Sequence, residues 1–92
     1  MTAYKVTEAV KEWIDRRYGN KDVFDRLGGG ILTGAEARKS MWDLFTVDDN
    51  VALVMIVEGI YEWSDWAAAD LRFTGFHLQP LTGYALAIYC DN

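Results

Sequence analysis

The sequence predicts an α+β fold, in which three or four helices are followed by a C-terminal antiparallel β-hairpin within a single small domain. Three observations carry the prediction. Apolar residues recur at helical spacing from Val6 onward. Residues that cap or stop helices separate the segments of the first half. The stretches RFTGFHLQ and YALAIYC flank a Pro80 and Gly83 turn signal near the end of the chain and read as the two strands of a hairpin. With 92 residues, 51% of them apolar, the chain suits one core and one domain, residues 1–92, with a helical part over 3–70 and a hairpin over 72–90.

The first helix follows from Val6, Val10, Trp13 and Ile14, which share one face while Lys5, Glu8, Lys11, Glu12, Asp15 and Arg16 lie outside it. It ends near Tyr18, where Gly19 is suited to the left-handed residue after a helix. Asn20 caps a short second helix with Val23, Phe24 and Leu27 as its apolar residues, and Gly28, Gly29 and Gly30 stop it and act as a flexible connection. Thr33 with Glu36 three positions later forms a capping-box pattern. It opens a third helix to about Phe45, buried through Ala37, Met41, Leu44 and Phe45.

The segment 51–71 has two readings. Val51 to Val57 is a short continuous apolar run rich in β-branched residues, compatible with a buried strand. Asp48 and Asp49 precede it as N-terminal helix signals, and at 100° per residue Glu58, Glu62 and Asp65 fall within about 60° of one another. Opposite them lies an apolar arc of Leu53, Ile56, Val57, Ile60, Trp63 and Ala67, so the expectation is one long fourth helix. In the hairpin, Tyr84, Leu86, Ile88 and Cys90 alternate with Ala85, Ala87 and Tyr89.

Charge is distributed unevenly. Residues 1–40 carry eight Lys or Arg against six acids, whereas residues 41–92 carry eight acids and Arg72 alone, within a net charge of −5. Direct nucleic-acid binding and anionic lipid are disfavoured, because phosphate affinity needs cations on the protein. The longest apolar run is far too short to span a bilayer, so no membrane partner is expected, and a cytoplasmic location follows from the charged N-terminal stretch. The single cysteine, Cys90, makes no internal disulfide and suits a reducing compartment.

Motifs of chemistry fail one by one. Gly29 and Gly34 have P-loop spacing, yet Ala35 and Glu36 stand where Lys and Ser or Thr are required. His77 is the lone histidine, and neither Ser40 nor Ser64 sits in a nucleophile signature, so His77 reads as a polar residue on the outer face of the hairpin. One His and one Cys do not make a zinc set, and Asp48 and Asp49 lack the pattern of a calcium loop. Glu58 and Glu62 have the spacing of a carboxylate pair, but both would come from one element with no cleft beside them. The expectation is therefore no catalytic residue, no metal and no cofactor.

What remains is "EGIYEWSDW", residues 58–66, where acids and aromatics interleave without a cation. Like charges one turn apart cost about 0.2–0.5 kcal/mol per pair on a helix, so a compensating group is expected: Arg16, Arg17, Arg38 or Lys39 of the same chain, or a basic partner. Tyr and Trp are favoured at interfaces, and four Trp and five Tyr exceed what so small a core easily encloses. Glu58, Tyr61, Glu62, Asp65 and Trp66 are the expected contact residues, with Asp43, Asp48, Asp49 and Asp70 available to extend the acidic pattern.

The implied function is a non-enzymatic binding protein that inhibits a basic, nucleic-acid-handling protein or ribonucleoprotein by docking this face. In physical type it is like phage anti-CRISPR and anti-restriction proteins. The alternatives are an immunity or antitoxin protein covering a nuclease site and a structural homo-oligomer, a homodimer in the simplest case, that buries its aromatics against a second copy.

Overall fold

The computed structural model describes residues 3–40, 46–58, 62–72 and 75–89. Helix α1 (Ala3–Tyr18) ends where the sequence places its stop, with Gly19 at φ 92° and its N–H bonded to the Asp15 carbonyl. Helix α2 (Lys21–Arg26) is capped by Asn20, whose side chain accepts from the Val23 N–H at 3.0 Å. The chain then enters strand β1 (Gly29–Thr33), crosses into α3 (Gly34–Ser40), and continues through β2 (Val51–Val57), α4 (Trp63–Leu71), β3 (His77–Thr82) and β4 (Ala85–Tyr89). The four strands form one antiparallel sheet in the order β1-β2-β4-β3.

The α+β class holds, but helices and strands interleave. The expected long fourth helix is overturned: Val51–Val57 is a central strand, and among the described residues of the segment the α-helix is Trp63–Leu71. The physical reason is burial on both faces. Leu53, Met55 and Val57 pack with Leu86 and Ile88 against α1, α2 and α4. Val51, Val54 and Ile56 pack with Ala85, Ala87 and Tyr89 on the opposite face, where Ala37 of α3 joins them. A strand covered on both sides needs apolar side chains at every position, and branched ones suit it.

Two smaller expectations change as well. Gly29 and Gly30 are not a flexible connection; they open β1, paired with Val57 and Ile56. A β-carbon at Gly29 would lie 2.6 Å from both the ring and the carbonyl oxygen of Phe24, so the close return of the chain after α2 depends on its absence. Asp48 and Asp49 precede a strand rather than a helix, and the Asp48 carbonyl accepts from the Val51 N–H. The expected continuation of the third helix to Phe45, with Met41, Leu44 and Phe45, lies outside the described residues, as does Cys90.

The C-terminal hairpin is present over His77–Thr82 and Ala85–Tyr89, with its turn at Gly83 and Tyr84 and Pro80 inside the strand. Pro80 is tolerated because β3 is an edge. Val57 N–H donates to the Tyr84 carbonyl, so Leu86 and Ile88 direct their backbone groups to β2, while Ala85, Ala87 and Tyr89 direct theirs to β3. Pro80, opposite Leu86, turns its hydrogen-free nitrogen outward. On the other edge, Glu58 N–H donates to Gly28, which by the same alternation points the backbone groups of Gly29, Ile31 and Thr33 away from the sheet.

Candidate functional site

Helix α4 with its cap position carries three of the five expected contact residues, Glu62, Asp65 and Trp66, and its start is fixed from both sides. Ser64, fully buried, donates its hydroxyl to the Thr82 carbonyl, and its N–H donates to Gly83, which pins the first turn of α4 to the β3–β4 turn. Trp63, 2% exposed, points inward and donates its Nε1–H to the Tyr18 hydroxyl at 3.0 Å, tying α4 to the end of α1. With those two residues inward, Glu62, Asp65 and Trp66 are left facing outward.

Glu62 occupies the cap position of α4 but makes no side-chain capping bond, and Asp65 lies in the first turn; both are exposed. Carboxylates there are favoured by the positive end of the helix dipole, which supplies part of the compensation their spacing requires. Glu58 is exposed too, but it follows the end of β2 and belongs to a different element. The expected single acidic stripe along one helix is thus not formed: Glu62 and Asp65 share the start of α4, and Glu58 comes from the strand end. Among the described residues none of the three carboxylates forms an ion pair. Tyr61 lies outside the described residues, as does Asp43.

Trp66 is 39% exposed. One side of its indole packs into a cluster in which Trp13 lies 6.0 Å away between ring centres, and Trp13 in turn meets Tyr18 and Trp63 edge-on. The guanidinium carbon of Arg17 lies 4.3 Å from the Trp66 ring centre, a cation–π contact from the last turn of α1. Arg17, Tyr18, Glu62, Trp63 and Trp66 line an open recess of about 350 Å³. Its walls are mainly aromatic, with a guanidinium and a carboxylate as its charged groups. Of the cations expected to compensate the strip, Arg17 is the one found here, and it meets the ring rather than an acid. Arg38 is engaged elsewhere, donating to the Asp48 carbonyl at 2.8 Å and lying 3.9 Å from Asp49.

The other acids do not extend the pattern. Asp70 accepts the indole N–H of the buried Trp13. The Asp48 carboxylate lies 3.3 Å from the Tyr89 hydroxyl, which also bonds Gln79 at 2.8 Å, and Tyr89 packs on the sheet face opposite α4. The aromatic excess is smaller than composition suggests, since Trp13 and Trp63 are both enclosed.

His77 is exposed, with its ring edge-on to Tyr89 at 4.9 Å, in the outward position expected for it. It shares a second recess, of about 250 Å³, with Asp65, Arg72 and Phe76 between α4 and β3. The serines considered as nucleophiles are both spent on backbone carbonyls: Ser64 on Thr82 and Ser40 on Glu36. Among the described residues no group of three His, Cys, Asp or Glu side chains could hold a metal ion, and no helix is long and apolar enough to cross a membrane. Two residues that shape the site escaped the sequence reading: Ser64 as the anchor of α4, and Arg17 as the partner of Trp66. Their contacts join segments distant in the chain, and no local pattern marks them.

No known protein family, curated protein or solved structure matches the chain.

Proposed function

We propose that the chain is a non-enzymatic binding protein whose face at the start of α4 docks onto a basic surface of a nucleic-acid-handling protein or ribonucleoprotein and thereby inhibits it. The observation that carries the reading is the exposed indole of Trp66 beside two carboxylates, Glu62 and Asp65, that form no ion pair among the described residues, on a helix start anchored by Ser64 and Trp63. A large aromatic anchor in a fixed setting, ringed by unneutralised charge, has the composition from which interface affinity and steering arise. Glu58 and Tyr61 complete the proposed contact set. The inhibitory outcome, of the anti-CRISPR or anti-restriction kind or as a nuclease immunity protein, rests on class analogy, and a cytoplasmic setting goes with it.

The test is affinity capture from lysate at low and then high salt. A basic nucleic-acid-binding protein released by salt, and no longer captured by the Glu58→Gln, Glu62→Gln, Asp65→Asn variant, supports the reading. Capture unchanged by the triple variant overturns it.

A second reading, a homodimer, is favoured by one observation: the outer edge of β1 presents the backbone groups of Gly29 and Ile31 with no charge or proline on that strand to deter pairing. Such a dimer persists at high salt, which separates it from the first reading.

A further inference from the structure

The recess beside Trp66 has a chemistry narrower than general acidity. A guanidinium already lies on the Trp66 ring, that of Arg17 at 4.3 Å. Among the described residues Arg17 forms no ion pair, and its side chain is exposed. It is held by the ring and by the favourable C-terminal end of α1, not by a carboxylate. Glu62, which lines the same recess, forms no ion pair among the described residues.

We propose that this recess reads an arginine side chain on the basic partner, whose guanidinium takes the place of Arg17 on the Trp66 ring and is paired by Glu62. The proposal rests on the docking reading above and specifies its chemistry. Displacing Arg17 forfeits one stacking contact and no ion pair. The incoming arginine regains the stack and adds a pairing to Glu62 that Arg17 does not make, so the exchange favours the visitor. The released Arg17 stays in the last turn of α1, where a cation is favoured, and moves its charge away from the second guanidinium. Lysine is the poorer fit: its ammonium is compact and strongly hydrated, whereas a guanidinium is planar, weakly hydrated and stacks on an indole.

The probes are a hexa-arginine and a hexa-lysine peptide, titrated against the full chain at low salt with tryptophan fluorescence as the readout. The arginine peptide is expected to bind about threefold to fivefold more tightly, the discrimination a cation–π contact at an exposed site supplies. Trp66→Leu, which keeps apolar bulk without the aromatic face, is expected to erase that preference; thermal unfolding monitored by circular dichroism confirms that the variant folds, and calorimetry replaces fluorescence for it. Arg17→Ala, which removes the internal occupant, is expected to strengthen the arginine peptide. Equal binding of the two peptides, binding of neither, or a preference that survives Trp66→Leu overturns the proposal. The docking reading falls separately: if the peptides bind alike while the acid variant still loses the captured partner, only the arginine inference fails.

Discussion

The indole nitrogen of Trp63 donates to the hydroxyl of Tyr18 at 3.0 Å, joining the first residue of α4 to the last of α1. Trp63 is 2% exposed, so its N–H has little access to water as a substitute. Tyr18→Phe keeps the ring in contact with Trp13 and Phe24 but removes the acceptor. The expected loss is about 1–2 kcal/mol of unfolding free energy, read by urea denaturation with an unchanged slope.

Gly34 opens α3 directly beside β2. A β-carbon there would overlap the carbonyl oxygen of Val51, a backbone atom that cannot rotate aside. Gly34→Ala is therefore expected to destabilise by about 3 kcal/mol or more, against the usual gain from replacing glycine in a helix. Gly30→Ala, where a β-carbon meets nothing within 4 Å, is the matched control and should change stability little.

The capping box predicts a pH dependence. Thr33 N–H donates to Glu36 Oε1 at 3.0 Å and Glu36 N–H donates to Thr33 Oγ1 at 3.1 Å. The backbone bond from Thr33, and secondarily its side-chain bond, hold the Glu36 carboxyl below its ordinary value of 4.5. The unfolded chain then takes up the proton more readily than the folded one, so the contribution is present above about 4.5 and is lost as pH falls through the lowered folded value. Glu36→Gln should flatten stability between pH 5 and 3, roughly the acid window of a carboxylate, in a series of thermal melts.

Glu58, Glu62 and Asp65 are exposed and form no ion pair among the described residues. Replacing all three by Gln, Gln and Asn should change stability by no more than about 1 kcal/mol, because the helix-dipole interaction lost at Glu62 and Asp65 is partly offset by the relieved repulsion between them. A loss of several kcal/mol in chemical denaturation would show that the acids hold the fold together, and would remove the case for reserving them for a partner.

Signals confined to a few consecutive residues were legible. Gly19, Asn20 and the Thr33–Glu36 box each act within a turn, and each stands where it was read. The segment 51–57 was not legible in the same way, because a continuous apolar run is what a doubly covered strand and a buried helix both require. Which of the two forms depends on Leu86 and Ala87 arriving beside it from the far end of the chain. The glycines of β1 misled for a related reason: Gly29 is needed for the approach to Phe24, a demand set by packing, while its local signature is that of a breaker. The site shows the same division. Glu62, Asp65 and Trp66 are exposed together at the start of α4, as their composition suggests, but the grouping of Glu58 with them assumed helical spacing across residues that begin as a strand. Arg17 on Trp66 is a contact between the two halves of the chain that charge counting could suggest and could not locate.

The outward nitrogen of Pro80 makes the sheet one-sided in its capacity to grow. The β3 edge lacks a donor at its centre, while the β1 edge offers Gly29 and Ile31. Two copies meeting edge to edge through β1 would place both proline edges at the outer ends of an eight-stranded sheet, each lacking a donor at Pro80. The placement of one residue thus bears on how far edge pairing can extend: a ladder that adds a strand through β3 forgoes a hydrogen bond at Pro80, so growth is disfavoured on that side.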